Sequence, residues 1–556
     1  MKRQIKQLTD RTFDLLVIGG GIYGATIAWE AVLRGLSVAL IDQSDFGSKT
    51  SANSLKIVHG GLRYLQQLDV KRMRESIRER RTYLKIAPHL VHPLPCVMPT
   101  YGHMIKGPEV MRAGLMMNDI ISADRNRLED PEKMIPAGRI LSRAECLAMV
   151  PGIESKRVNG AAFWTDAQIF NTERFNLSFI LSAVNQGAEA ANYIQAVDYL
   201  KRGNRVEGVT ARDLISGEKL DIPAKMVVNA AGGWVNTLQP GQQEPHIQLS
   251  TAMNLVVNRK MLDGCAAGIS TTFQYKTSAG NTEQSSRVLF MTPWRDVTVI
   301  GTYHKPYQNS PDAMKINRQE IDDFRNEINR GYPGDPVQRN EISYAYKGFL
   351  PMDGLHKKTG EVVLTKHYHI YDYKKDHIEG LITVSGVKYT TARDVAVKVV
   401  DRVFGKLGTN GSKSVSHQRR LMGGQIDNFS TFLKETVAAK PPSLSDKTMH
   451  HLAYTYGSMT RDILAYGMRD DEMLKLVDGS EEVIRAEIVH AVREEAAQTL
   501  SDVILRRTDM GSAGYPGDDI LPACARLMGQ ELGWNKDKIN HEISAVKQMY
   551  RVFMDE

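Results

Sequence analysis

Cysteine is scarce in this chain, with only Cys96, Cys146, Cys265 and Cys524 among 556 residues. None belongs to a C-x-x-C pair, so the spacing offers neither a metal site nor a disulfide framework. A reducing, cytoplasmic location is the expectation that follows. No run of about eighteen uncharged apolar residues occurs, which excludes a spanning helix and leaves at most a peripheral membrane association. The start, MKRQIKQLTDRTFD, carries no apolar stretch of export-signal length. Low-complexity segments and short internal repeats are missing, which argues against a solenoid. Nor is charge strongly one-sided: 71 basic residues face 64 acidic ones, a net +7. That balance suits an anionic substrate or an anionic lipid and does not call for nucleic acid.

What is present begins at Phe13. The stretch FDLLVIGGGIYGATIAWEAVLRGLSVALID, 13–42, reads as strand, glycine turn, helix and second strand. Leu15, Leu16, Val17 and Ile18 form the continuous apolar run of a buried parallel strand. Gly19, Gly21 and Gly24 then give G-x-G-x-x-G where the helix starts. The first allows a tight turn, the second lets a pyrophosphate approach the backbone, and the third lets helix and strand pack closely. The helix start offers free N–H groups and partial positive charge to a phosphate. Asp42, ending the second strand, stands where an acid meets the ribose hydroxyl of an unphosphorylated adenine nucleotide. The loop beyond it holds Ser51, Asn53, Ser54, Lys56 and the turn His59-Gly60-Gly61. Small, polar and glycine residues of this kind can lie against a polar ring system with their amides free.

At 50–65, TSANSLKIVHGGLRYL, the chain resembles the flavin-contacting segment of the FAD-dependent glycerol-3-phosphate dehydrogenase and oxidase family. The segment VSGVKYTTAR, 384–393, is similar to that family's second flavin segment. MVVNAAGGW, 226–234, looks like the strand and turn that return to the FAD. AVREEAAQTL, 491–500, and LRRT, 505–508, match its helical appendage. The resemblance covers nearly the whole chain. It implies FAD as cofactor, contacted by the glycine turn, the 51–61 loop, Ala231, Gly232, Gly386, Lys388 and Thr390. It assigns His59 to the flavin loop, and Arg63 and Tyr64 to the substrate. Lys388 is the candidate positive charge beside the flavin, where reduction brings negative charge. A nicotinamide dehydrogenase would share the first motif, but a second nucleotide fingerprint is absent and the 56–64 and 388–393 segments would go unexplained.

Three positions depart from the family pattern. Asn254 stands where a histidine is usual, and an amide cannot act as a base at neutral pH. Leu350 stands where an arginine would grip the substrate phosphate with a charge-assisted fork. His304 replaces an aspartate and is a candidate acid or base. Arg63 and Arg393 remain as possible phosphate ligands, and Lys347 could supply charge from beside Gly348.

The expected fold is α/β: a Rossmann-type FAD-binding domain, an antiparallel-sheet substrate domain and a C-terminal helical domain. FAD-binding segments at about 13–87, 160–250 and 352–411 interleave with substrate segments at about 88–159 and 251–351, and helices fill 412–556. Residues 70–86 read as a basic helix with a solvated face, or one lying on a membrane. The prolines from Pro88 to Pro99 suggest loops and short strands. A short helix at 143–150, a strand at 160–170, a helix at 171–186 and a hairpin at 193–200 and 205–213 follow.

The expected activity is hydride transfer from an alcohol carbon to flavin, with glycerol 3-phosphate or another small polyol phosphate as default donor. The altered pocket leaves open an unphosphorylated alcohol or amine, or a flavin-binding partner protein without catalysis. Either a membrane quinone or dioxygen would take the electrons. The helical C-terminal part is suited to dimerisation, membrane docking or stability.

Overall fold

Residues 1–65, 68–102, 107–238, 246–276 and 282–554 are described by a computed structural model. Its first sheet is organised by the strand Phe13–Ile18. That strand pairs in parallel with Val38–Ile41 on one side and Lys219–Asn229 on the other. Beyond these lie Glu189–Ala191 and Leu381–Ser385, also parallel, and an antiparallel edge at His369–Asp372. The alternation of side chains along a strand explains why Leu15 to Ile18 are apolar without a break. Leu15 and Val17 enter one core with the helices Ile22–Leu33, Thr172–Asn185 and Ala392–Leu407. Leu16 and Ile18 enter another, packed on the hairpin Ile194–Arg202 and Arg205–Asp213.

The second sheet is mostly antiparallel and centres on Leu249–Val257, flanked by Val297–Tyr307 and Ile342–Leu355. This is the α/β arrangement expected, with the substrate sheet laid beside the nucleotide sheet. The proline-rich region is not a set of loops but one long strand, Val91–Tyr101, paired along its length with Val158–Ile169. Pro93, Pro95 and Pro99 occupy alternate positions, so their missing N–H groups all face away from that ladder. On that side Ala266–Lys276 pairs only at Cys96 and Val97.

The basic helix forms as Val70–Ile86, capped by Asp69, but most of it is packed into the protein and is not the solvated face its charges suggest. Arg72, Glu79 and Arg80 are buried. Arg80 pairs with Asp166 at 2.6 Å, while Arg74 and Arg81 clamp Asp124 at 2.6 and 2.8 Å. The C-terminal helices, from Phe429–Ala438 to Lys536–Tyr550, enclose two apolar clusters of their own. All four cysteines are buried free thiols. Among the described residues, no helix is long and apolar enough to cross a membrane.

Candidate flavin and substrate site

The two sheets face each other across a cleft of about 440 Å³, within the range of small-molecule and cofactor sites. Its nucleotide end is the glycine turn. Gly19 has φ +100°, and a Cβ there would meet the Ala230 carbonyl at 2.7 Å. A Cβ on Gly24 would lie 1.7 Å from the Gly19 carbonyl oxygen, so this glycine sets the helix against the strand and does not line the cleft. Gly21 is the helix cap and brings no side chain. The N–H of Ile22 donates to Ser51 Oγ at 2.8 Å, and the rest of the first turn leaves donors for an anion. Asp42 lines the cleft, accepting from the Gly20 N–H at 2.7 Å and the Ser44 N–H at 2.8 Å. Burial pushes its carboxyl up to about 6, against those hydrogen bonds.

Ser51, Ser54, His59, Ala231, Gly232, Gly386, Lys388 and Thr390 also line the cleft. Gly386 is compulsory, because a Cβ there would strike the Tyr23 ring at 1.9 Å. Tyr23, which sequence reasoning missed, is the clasp between the first and last flavin segments. Its hydroxyl accepts from the N–H groups of Val387 at 3.1 Å and Lys388 at 3.2 Å, and donates to the Lys388 carbonyl at 2.8 Å. Its place inside the glycine motif was the available signal. Thr50 was also missed; its hydroxyl accepts from the Phe349 N–H at 2.9 Å and joins the flavin loop to the substrate sheet.

At the substrate end, Lys388 Nζ sits 3.8 Å from the centroid of the Tyr64 ring, and Arg72 lies 4.4 Å from the same centroid. Burial, then the Arg72 charge, bring Lys388 down to about 7. His304 lines the cleft with its Nδ1 unpartnered. Burial, with Arg287 and Arg63 nearby, lowers it to about 4, so its imidazole is neutral. Asn254 lines the cleft, and its Oδ1 accepts from Thr302 Oγ1 at 2.9 Å. Leu350 lines the same wall.

The remaining sequence-assigned residues stand elsewhere. Lys56, at φ +62°, turns its side chain away from the cleft to Thr172 and to Glu173 at 3.3 Å, under Trp294 and Tyr346. Its buried side chain braces the loop from behind and does not line the cleft. Arg393 is held by Glu79 through Nε and Nη2 and by Ser416 through Nη1, so it is not free to bind substrate. Gly60 and Gly61 form a supporting turn and do not line the cleft. The Gly60 N–H donates to Asp166 at 2.7 Å, which also holds His59 Nδ1 at 3.2 Å and Arg80. Arg63 is exposed at the rim, close enough for its charge to act on Tyr64 and His304. Lys347 is committed to Glu320 at 2.6 Å.

A glycine-turn cradle with an acid at the ribose position suits an adenine dinucleotide. The loops 51–54, 231–232 and 386–390 that line the rest of the cleft suit its flavin ring. That layout, closed by an antiparallel substrate sheet, defines an FAD-dependent oxidoreductase. The model of the FAD dependent oxidoreductase family matches residues 14–386, and the C-terminal domain of alpha-glycerophosphate oxidase matches 414–539. The chain is 31% identical to glycerol-3-phosphate dehydrogenase of Synechocystis sp., over 100% of this chain and 98% of the relative. It is 29% identical to the mitochondrial glycerol-3-phosphate dehydrogenase of Mus musculus, over 97% of this chain and 73% of that one. Its fold is similar to that of the FAD-complexed glycerol-3-phosphate dehydrogenase of Bacillus halodurans, with TM-score 0.76, 23% identity and coverage of 99% and 96%. The chain belongs to the FAD-dependent glycerol-3-phosphate dehydrogenase and oxidase family, an enzyme family acting on CH–OH donors with FAD as cofactor.

Proposed function

We propose that this enzyme oxidises the secondary alcohol of glycerol 3-phosphate or a related small polyol phosphate. The observation that carries the reading is the convergence, in one cleft, of the FAD cradle with the Lys388–Tyr64 stack and the neutral His304. Bound FAD accepts the hydride. The chain supplies the rest. Arg63 at the rim and Lys388 within give an anionic donor two cations. His304 offers an unprotonated nitrogen to the hydroxyl, and Asn254 donates a hydrogen bond to a neighbouring oxygen.

One observation favours a second reading, an unphosphorylated alcohol or amine. Leu350 and Asn254 line the substrate wall where a cation and a base are usual in the family. Anaerobic mixing with glycerol 3-phosphate separates the two. Saturable bleaching of the flavin band is expected, and Leu350→Arg should raise kcat/KM for this donor about tenfold by adding a charge-assisted contact. A flavin that dithionite reduces but glycerol 3-phosphate does not would leave the second reading standing.

Electrons then pass to a lipid-soluble quinone, with dioxygen as the competing acceptor. Support comes from the helix Pro108–Ile121, in which Leu115 is the buried residue and Met111 packs beside it. Val110, Met117 and Ile120 share its outer face with Met116 beside them, all of them exposed. Arg112 is exposed on the same helix, as is Glu109. An exposed apolar helix face on a protein of net charge +7 suits an anionic bilayer surface. Co-sedimentation with phosphatidylglycerol vesicles is expected, weakened at least about tenfold by Met116→Ser with Met117→Ser and Ile120→Ser. Unchanged sedimentation would remove this surface from the reading.

A further inference from the structure

Neither C-terminal motif, 491–500 nor 505–508, reaches the cleft, yet Arg506 and Arg507 of the second grip one buried carboxylate in the cofactor loop, and Glu495 of the first braces Arg507 from behind. Asp45 lies three residues past the ribose-position acid Asp42 and is fully enclosed. Arg507 forks onto it, Nη1 to Oδ2 at 2.8 Å and Nη2 to Oδ1 at 2.9 Å. Arg506 Nε reaches Oδ2 at 2.5 Å, and Asn192 Nδ2 reaches Oδ1 at 3.0 Å. Behind them the Glu495 carbonyl accepts from Arg507 at 2.9 Å, and the Glu495 carboxylate pairs with Arg174 at 2.6 Å. Asp502 accepts from Arg506 at 2.8 Å and from the Tyr193 hydroxyl at 2.7 Å. Three buried carboxylates thus face three buried guanidinium groups.

Local geometry makes the double grip possible. Successive side chains on an α-helix diverge by about 100°, so adjacent residues do not normally share a partner. Here residues Val503–Arg507 form a π-helical turn, a distortion that recurs at functional sites. The wider turn lets two consecutive arginines meet one carboxylate.

The loop that Asp45 anchors touches the cradle on both sides of it. The Ser44 N–H fixes Asp42. Phe46 packs over Gly20, where a Cβ would meet its ring at 2.4 Å. The Gly47 N–H donates to the Gly20 carbonyl at 3.1 Å, and Ser51 takes the first N–H of the helix. A buried ion-pair cluster is a poor source of net stability, because apolar packing of equal volume does as well. What a forked pair gives is fixed direction.

We infer that Arg506 and Arg507 are positioning residues for the cofactor: through Asp45 the C-terminal domain holds the 42–51 loop against the glycine turn, so FAD retention depends on that domain. The inference rests on the FAD assignment and not on the identity of the donor.

The test compares Asp45→Asn with Asp502→Asn in the full chain. Each removes one carboxylate from the same buried cluster, but only Asp45 belongs to the cofactor loop. FAD affinity is measured by reconstituting apoprotein and following flavin fluorescence, and stability by thermal melting of the apoprotein. Both variants should melt at lower temperature. Asp45→Asn alone should weaken FAD binding about tenfold to a hundredfold, the range carried by outer-shell partners of bound metals. Unchanged FAD affinity in a folded Asp45→Asn protein, or an equal loss in Asp502→Asn, would overturn the inference. If Asp45→Asn does not fold, Arg507→Lys decides: it keeps the charge and loses the fork. Weakened FAD binding is then expected, and wild-type affinity would overturn the inference.

Discussion

Lys388→Met should leave the protein yellow and slow its reduction by donor about a hundredfold to a thousandfold, the usual effect of removing one aligned charge-stabilising group. Cofactor retention survives because the segment is held by backbone: Tyr23 bonds Val387 and Lys388 through main-chain atoms, and Gly386 packs on its ring. What disappears is the ammonium 3.8 Å from the Tyr64 ring centroid. Stopped-flow single-turnover reduction reads the step directly, and a wild-type rate would remove Lys388 from the chemistry. The same residue predicts a pH dependence. Burial and the Arg72 charge favour the neutral amine and lower Lys388 to about 7. The lysine is therefore charged below that pH and neutral above it. Since kcat/KM reports groups of the free enzyme, it should fall as pH rises through about 7. Lys388→Arg keeps a charge across the whole range, and should abolish that limb even if the new side chain lowers the rate. A limb that persists in Lys388→Arg would assign the titration to another group.

The contrast between Lys388 and Arg393 shows what the sequence could carry. Both lie in VSGVKYTTAR, and both are cations in a segment that resembles a flavin contact. Lys388 reaches the cleft, whereas Arg393, on the helix that follows, turns to Glu79, 314 positions earlier in the chain. Lys56 is the same case: Glu173 and the rings of Trp294 and Tyr346 draw it away from the loop it belongs to. A local pattern places a residue on a loop or a helix, but the partner that decides its direction is remote. The basic helix Val70–Ile86 was legible as a helix from its period. Its burial was not, because Asp124, Asp166 and Glu79–Arg393 become neighbours only after folding. The parallel strand at Phe13 and the hairpin at Ile194–Asp213 were legible because each depends on local alternation and turn residues. The long strand Val91–Tyr101 was hidden by prolines, whose tolerance depends on which side of the ladder they face.

The glycine motif separates folding from cofactor binding in the last pair of variants. Gly21→Val should give a folded protein with no flavin, whereas Gly24→Ala should barely fold. A Cβ on Gly21 would meet only Ser51 Oγ, at 3.1 Å. The hydroxyl can give way by a few tenths of an ångström, so the apoprotein tolerates the branch while the isopropyl group occupies the approach to the helix start. At Gly24 the smallest side chain already fails. Its Cβ would stand 1.7 Å from the Gly19 carbonyl oxygen and 3.0 Å from its carbon. Those atoms belong to the turn itself, so the helix Ile22–Leu33 must move off the sheet that buries it. Overpacking of this kind costs about 3 kcal/mol or more. Circular dichroism with a flavin absorbance ratio distinguishes the outcomes. Gly21→Val should melt cooperatively, near wild-type apoprotein, with an absorbance ratio at the protein baseline. A Gly24→Ala protein that melts normally and holds FAD would mean the strand–helix contact yields more readily than its geometry implies. A fully loaded Gly21→Val protein would move the pyrophosphate away from the glycine turn altogether.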